Sequence, residues 1–199
     1  MRICFGGTFN PIHNAHLICA RAVAEAKGYQ GVDLIPTAQP PHKPDGRELA
    51  PALHRLEMCK RAVTGSKLFT VNDIELKRTG PSFTIDTARQ LQAAGYGPVH
   101  WLIGADMLQY LPQWHQPLEL LKEVEFIIMA RPGWTLDWNQ MPPEYRHLQA
   151  NVVEAPLIQI SASHLRARVA QGLDIDYLTP EPVCQYIQEH SLYRSNQST

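Results

Sequence analysis

No excess of charge marks this chain: 18 Lys and Arg stand against 19 Asp and Glu, a net charge of −1 over 199 residues. A global basic field of the kind that draws a protein onto nucleic acid is missing, so nucleic acid is not an expected partner and basic side chains are judged locally. Long apolar runs are missing too, which excludes a bilayer span and makes no membrane partner expected. Cysteine is sparse. Cys4, Cys19, Cys59 and Cys184 are widely scattered with no CxxC pair, which argues against a disulfide framework and for reduced, structural thiols in a cytoplasmic protein. The chain enters an apolar stretch at Ile3, so no signal peptide is expected. Repeats, low-complexity tracts and linkers are absent, and the length suits a single domain over 1–199 with a substantial core.

What is present is an alternation of two patterns. Apolar runs at Ile3–Phe5, Val32–Ile35, Val99–Ile103 and Val124–Met129 read as buried strands. Helical patterns lie between them at about 15–28, 51–65, 84–95 and 105–122, the last interrupted by Pro112. A strand at about 152–160 leads to a helix from Ser161 and a final helix from Pro182. The expected fold is α/β: a Rossmann-like doubly wound parallel sheet with helices on both faces and a small C-terminal helical portion at about 161–194. Ligands of such sheets bind beyond the carboxyl ends of the strands. Two segments read as irregular: Thr37 to Pro51, a proline-rich flap, and Pro132 to Pro143. The polar tail from Ser195 to Thr199 reads as frayed.

The opening stretch Gly6-Gly7-Thr8-Phe9-Asn10-Pro11-Ile12-His13-Asn14-Ala15-His16 carries the most chemistry. Glycine lets backbone N–H groups approach a phosphate closely, and a following helix N-terminus adds partial positive charge. The spacing of His13 and His16 puts both imidazoles on one face of the first helical turn. No Gly-Lys-Ser/Thr follows, so this is not a Walker loop, and the glycines do not fit the dinucleotide fingerprint. A lone HxxH pair would more often be a surface pair or half a zinc site; the apolar strand and the glycine leader reverse those odds.

A second signal is Ile160-Ser161-Ala162-Ser163-His164-Leu165-Arg166. Ser161 follows an apolar run and opens a helical pattern, so it reads as an N-cap, a feature contributing about 1 kcal/mol. An anion at the same helix end would meet backbone N–H groups, the Ser161 and Ser163 hydroxyls and Arg166.

Six ordered segments, GGTFNPIHNAHL, IPTAQPPHKP, PSFTIDT, LIGADMLQYLPQW, ARPGW and ISASHLRARVAQG, cover most of the chain. Together they resemble the bacterial nicotinate-nucleotide adenylyltransferases of the (H/T)xGH nucleotidyltransferase superfamily. Asn10 stands where that family usually has Asp, and Ala15 where it usually has Gly; neither removes a proposed catalytic group. The resemblance implies that nicotinic acid mononucleotide attacks the α-phosphorus of ATP to give deamido-NAD and pyrophosphate in NAD biosynthesis. It implies small-molecule substrates, a monomer or small homo-oligomer, and Mg2+ entering with ATP rather than a protein-built metal site. His13, His16, Lys43 and Arg166 are the implied catalytic groups, with His16 nearest the α-phosphate. Gly6, Gly7, Thr8, Phe9 and Gly104 join them at ATP, Ser161, Ser163 and Arg166 take the leaving pyrophosphate, Ile103 and Arg131 lie near adenine, and Asp106 near ribose. Ser82, Phe83 and Thr84 shape the acceptor pocket, with Trp114 as a stacking platform for the pyridine ring.

Three other readings compete. A related adenylyl- or cytidylyltransferase would keep the phosphate site and take nicotinamide mononucleotide or phosphopantetheine instead. A zinc hydrolase built on His13 and His16 lacks the glutamate of HExxH and a third ligand. A catalytically silent regulator would bind ATP and release no pyrophosphate.

Overall fold

The computed structural model describes residues 1–41 and 49–194; residues 42–48 of the proline-rich flap, Lys43 among them, and the Ser195–Thr199 tail lie outside them. Among the described residues the strands are β1 (Arg2–Gly7), β2 (Gly31–Pro36), β3 (Phe69–Val71), β4 (Val99–Gly104), β5 (Val124–Ala130) and β6 (Val152–Glu154). They form one sheet in the order β3-β2-β1-β4-β5-β6, every pairing parallel. Parallel neighbours require crossovers, and helices supply them. The chain winds outward from β1 to β3, returns beside β1 as β4, and winds outward again to β6. That reversal leaves a crevice beyond the carboxyl ends of β1 and β4.

Side-chain alternation along each strand splits the core in two. Ile3, Phe5, Leu102 and Ile127 face α1 (Asn14–Lys27), α2 (Ala52–Ala62), α6 (Ala162–Ala170) and α7 (Glu181–Glu189), whose Val23, Met58, Leu165 and Val183 join the same cluster. Cys4, Trp101, Ile103, Phe126 and Ile128 face the other way, toward α3 (Thr84–Ala93), α4 (Ala105–Leu108) and α5 (Pro117–Glu123). Each fully buried large apolar side chain contributes about 1.5–3 kcal/mol. The four cysteines are free and buried. Among the described residues no helix is long and apolar enough to cross a membrane.

The structure revises several sequence expectations. The strand expected to about residue 160 stops at Glu154, because its partner β5 ends at Ala130. Ala155 makes the last rung, donating to the Ala130 carbonyl at 2.8 Å, and Pro156 has no N–H to continue. Edge strand β3 escaped notice, being three residues long. The helix expected over 105–122 is three pieces, α4, a 3-10 turn at Leu111–Gln113 and α5, since Pro112 and Pro117 each remove a backbone donor. The second helix ends at Ala62, short of 65, and the final helix starts at Glu181 with Pro182 in its first turn.

Candidate active site

The loop after β1 is shaped by rings. A Cβ on Gly6 would lie 2.4 Å from Trp101 Cζ2, and one on Gly7 would lie 2.9 Å from Phe9 Cζ. Indole packing thus excludes a side chain at Gly6, and one at Gly7 would press on the Phe9 ring. Phe9 itself adopts a left-handed φ of 44°, a strained conformation for a bulky residue. Its ring sits edge-on to Phe5 at 5.5 Å and to His16 at 5.2 Å.

Arg55 holds this loop in place. Fully buried on α2, it donates to the carbonyls of Thr8 at 2.8 Å, Ala50 at 2.9 Å and Ala38 at 3.1 Å. One guanidinium thus joins the glycine loop, the exit of β2 and the segment leading into α2. Burial lowers its pKa. Sequence reasoning missed it, although a signal existed: Arg55 sits on the helical stripe of Ala52, Leu56 and Cys59.

The two histidines meet in the first turn of α1, as their spacing predicts, the His16 amide donating to the His13 carbonyl at 3.0 Å. His13 is the N-cap of α1, with extended backbone, and His16 is the third helical residue. The His13 amide donates to His16 Nδ1 at 3.2 Å, and the rings stack at 3.6 Å. An imidazole that accepts at Nδ1 while neutral carries its proton on Nε2. Burial favours that neutral form, pulling His13 down to about 4 and His16 well below its ordinary value, with the neighbouring His13 lowering His16 further. His16 is thereby locked as an Nε2–H donor. His13 Nδ1 is buried with no hydrogen-bond partner.

A cavity of about 670 Å³ occupies the crevice beyond β1 and β4. At its loop side are Gly6, Gly7, Thr8, Phe9 and His16, and Ile103 and Gly104 close it from β4. Ser82, Phe83, Thr84 and Trp114 also line it, so these expected residues share one space. Here α3 begins at Thr84 with no side chain capping its first amides, which leaves those donors for a ligand. Phe83 stacks on His115 at 4.1 Å, and the buried Trp114 Nε1 has no hydrogen-bond partner. Ser82 Oγ accepts from the Ala38 and Gln39 amides at 3.0 and 3.1 Å, tying this end to the exit of β2.

Other expected residues lie off this cavity. Asp106 and Arg131 pair with one another at 3.2 Å, both largely exposed, at the carboxyl ends of β4 and β5. Ser161 caps α6 as expected, accepting from the His164 amide at 3.2 Å, and its Oγ lies 3.2 Å from that of Ser163. Arg166 Nη1 donates to the Asn10 carbonyl at 3.1 Å, which brings α6 to the glycine loop. His13 stands behind His16, outside the lining. Among the described residues no group of three or more His, Cys, Asp or Glu could hold a metal ion.

A doubly wound sheet with a glycine loop and a fixed imidazole donor at its switch point defines a nucleotide-transferring fold, and the chain belongs to the cytidylyltransferase-like family, which matches residues 4–168. The Bacillus pumilus protein named probable nicotinate-nucleotide adenylyltransferase is 40% identical over 192 residues, covering 96% of this chain and 97% of the relative. A Salinibacter ruber protein of the same name is 41% identical over 191 residues, covering 96% of each. Within the family, then, the chain groups with the nicotinate-nucleotide adenylyltransferases. Among solved structures, Plasmodium falciparum nicotinic acid mononucleotide adenylyltransferase complexed with NaAD superposes with a TM-score of 0.73 at 20% identity, covering 96% of this chain and 97% of that one. The same enzyme complexed with APC gives 0.72 at 18% identity, covering 96% of each chain. At such identity the likeness is one of fold.

Proposed function

We propose that this chain transfers the adenylyl group of ATP to nicotinic acid mononucleotide, forming deamido-NAD and pyrophosphate. A phosphate oxygen of the acceptor attacks the α-phosphorus, the bond to the bridging oxygen of the β-phosphate breaks, and that oxygen leaves on pyrophosphate. Both reactants are anions, so positioning and charge stabilisation carry the step and no covalent nucleophile is needed.

One observation carries this reading. A single cavity holds a locked imidazole donor over a glycine loop and, with it, an uncapped helix N-terminus beside Trp114. His16 would donate from Nε2 to the α-phosphate as charge builds there, with His13 backing it. Gly6, Gly7, Thr8 and Phe9 would follow the nucleotide, Ile103 and Gly104 would meet it from β4, and the Asp106–Arg131 pair would face ribose and adenine. Arg166, Ser161 and Ser163 would take the pyrophosphate; Lys43 is assigned to the phosphates from the sequence alone. Thr84 and the first amides of α3 would bind the pyridine carboxylate, with Ser82 and Phe83 shaping the wall and Trp114 stacking on the ring. Magnesium would enter as Mg-ATP, held by phosphate oxygens and water.

The test is pyrophosphate release from Mg-ATP with nicotinic acid mononucleotide, beside nicotinamide mononucleotide and phosphopantetheine. Strong preference for the first acceptor supports the reading. Preference for another keeps the phosphate chemistry and overturns the acceptor assignment. Silence with all three, with ATP bound, overturns the catalytic reading.

A further inference from the structure

Of the side chains lining the cavity, Glu75 alone among the described residues is a carboxylate, and it is 3% exposed. It lies on a 3-10 turn, Ile74–Lys77, that follows β3. Its neighbours are all donors. Thr87 Oγ1 donates to Oε1 at 2.8 Å while accepting from Arg78 Nη2 at 2.8 Å. The Ser82 hydroxyl, whose oxygen accepts from the Ala38 and Gln39 amides, lies beside the Glu75 carboxyl, whose Oε2 is buried with no hydrogen-bond partner. Arg78 Nη2 completes the group, 3.9 Å from Oε1. A carboxylate is the side chain that offers acceptors and no donor. Glutamine of the same shape would replace one of the two acceptor oxygens by an N–H2 and remove the charge facing Arg78.

The same network fixes backbone. The Phe83 carbonyl accepts from Arg78 Nη2 and from the Thr87 amide, each at 3.2 Å, and the Ser82 amide donates to the Gln39 carbonyl at 2.9 Å. The segment so held is Ser82–Phe83–Thr84, which leads into the uncapped first turn of α3. Discrimination between a carboxylate and an amide on a pyridine ring rests on the direction of those amides, since the two substituents match in shape and differ in charge and in donors. A binding group must be held to roughly half an ångström to discriminate.

We infer that Glu75, acting with Arg78 through Thr87 and the Ser82–Thr84 backbone, is a positioning residue that sets the preference for a carboxylate over an amide on the acceptor's pyridine ring. The inference rests on the proposed reaction. Glu75 touches no reacting atom in this assignment; it acts through the backbone it holds. A purely electrostatic role predicts the opposite sign. Removing a negative charge beside the acceptor end would strengthen carboxylate binding by Coulomb attraction to Arg78, whereas loosening the amides weakens it.

The experiment compares the full chain with Glu75→Gln and with Arg78→Lys, which keeps the charge but is too short to put a donor where Nη2 meets both Thr87 and Phe83 while Nη1 holds Gln90. Steady-state kinetics use Mg-ATP with nicotinic acid mononucleotide and with nicotinamide mononucleotide. For both variants the ratio of kcat/KM values between the acceptors should fall about tenfold or more, through the KM of the carboxylate acceptor. The KM for ATP should stay within about twofold. An unchanged or raised ratio, or an ATP KM rising in step with the acceptor KM, overturns the inference. Should Glu75→Gln fail to fold, Arg78→Lys alone decides it by the same ratio. A wild-type chain inactive with both acceptors removes the underlying reaction, and this inference with it.

Discussion

The Tyr193 hydroxyl donates to Asn10 Oδ1 at 2.8 Å, and the Ala50 amide donates to the same oxygen at 3.0 Å. One acceptor in the glycine loop thus joins the segment leading into α2 to the segment following α7. Both donors need an acceptor here, which either Asn or Asp supplies. Tyr193→Phe should cost about 1 kcal/mol. Asn10→Ala should cost more, about 1–3 kcal/mol, because it strips the acceptor from both donors. Thermal denaturation of the two variants checks the order; equal losses would show that the Ala50 bond carries nothing.

Acidification should destabilise the protein well before its carboxylates titrate. His13 is buried neutral, held at about 4 against an ordinary 6.5, so between those values the unfolded chain binds more protons than the folded one. Stability is therefore present above pH 6.5 and falls as pH drops toward 4, by up to about 3 kcal/mol from this residue. The lowered pKa of His16 adds a loss of the same sign. Melting temperature against pH should slope steeply across this window, and His13→Asn should flatten it. A variant with the wild-type slope would place the acid sensitivity elsewhere.

His16→Ala should lower kcat by about 10²–10³, the effect expected of one donor aimed at developing charge. The ATP dissociation constant should move far less, since the glycine loop is held independently by Arg55. Calorimetric ATP titration beside steady-state kinetics separates the two. Affinity collapsing with turnover would make His16 a ground-state binder instead.

The Asp106–Arg131 pair is solvent-exposed, with side-chain exposures of 72% and 64%. Asp106→Ala should cost under about 1 kcal/mol of stability, while the KM for ATP rises several-fold and the acceptor KM holds. Melting and kinetics on one preparation test this; an acceptor KM rising alone would move Asp106 to the other end of the cavity.

Local pattern determined a good deal of this protein by itself. Four of the six strands were legible from apolar runs, because a strand buried on both faces is predominantly apolar, with Asp33 and His100 as buried exceptions. The Ser161 cap was legible for a different reason: the amide it serves lies within three residues of it. β3 and the true end of β6 were not, since an edge strand lasts as long as its partner does.

Tertiary structure alone decided the rest. That Gly6 must be glycine depends on Trp101, which arrives from β4. That His16 is a fixed Nε2–H donor depends on one amide direction, set where the N-cap turns. Arg55, Glu75 and Arg78 bear on the site through residues 5–47 positions away in the chain. Hydrogen bonds of that kind are matters of three-dimensional direction and desolvation, and neither is carried by the order of residues along a chain.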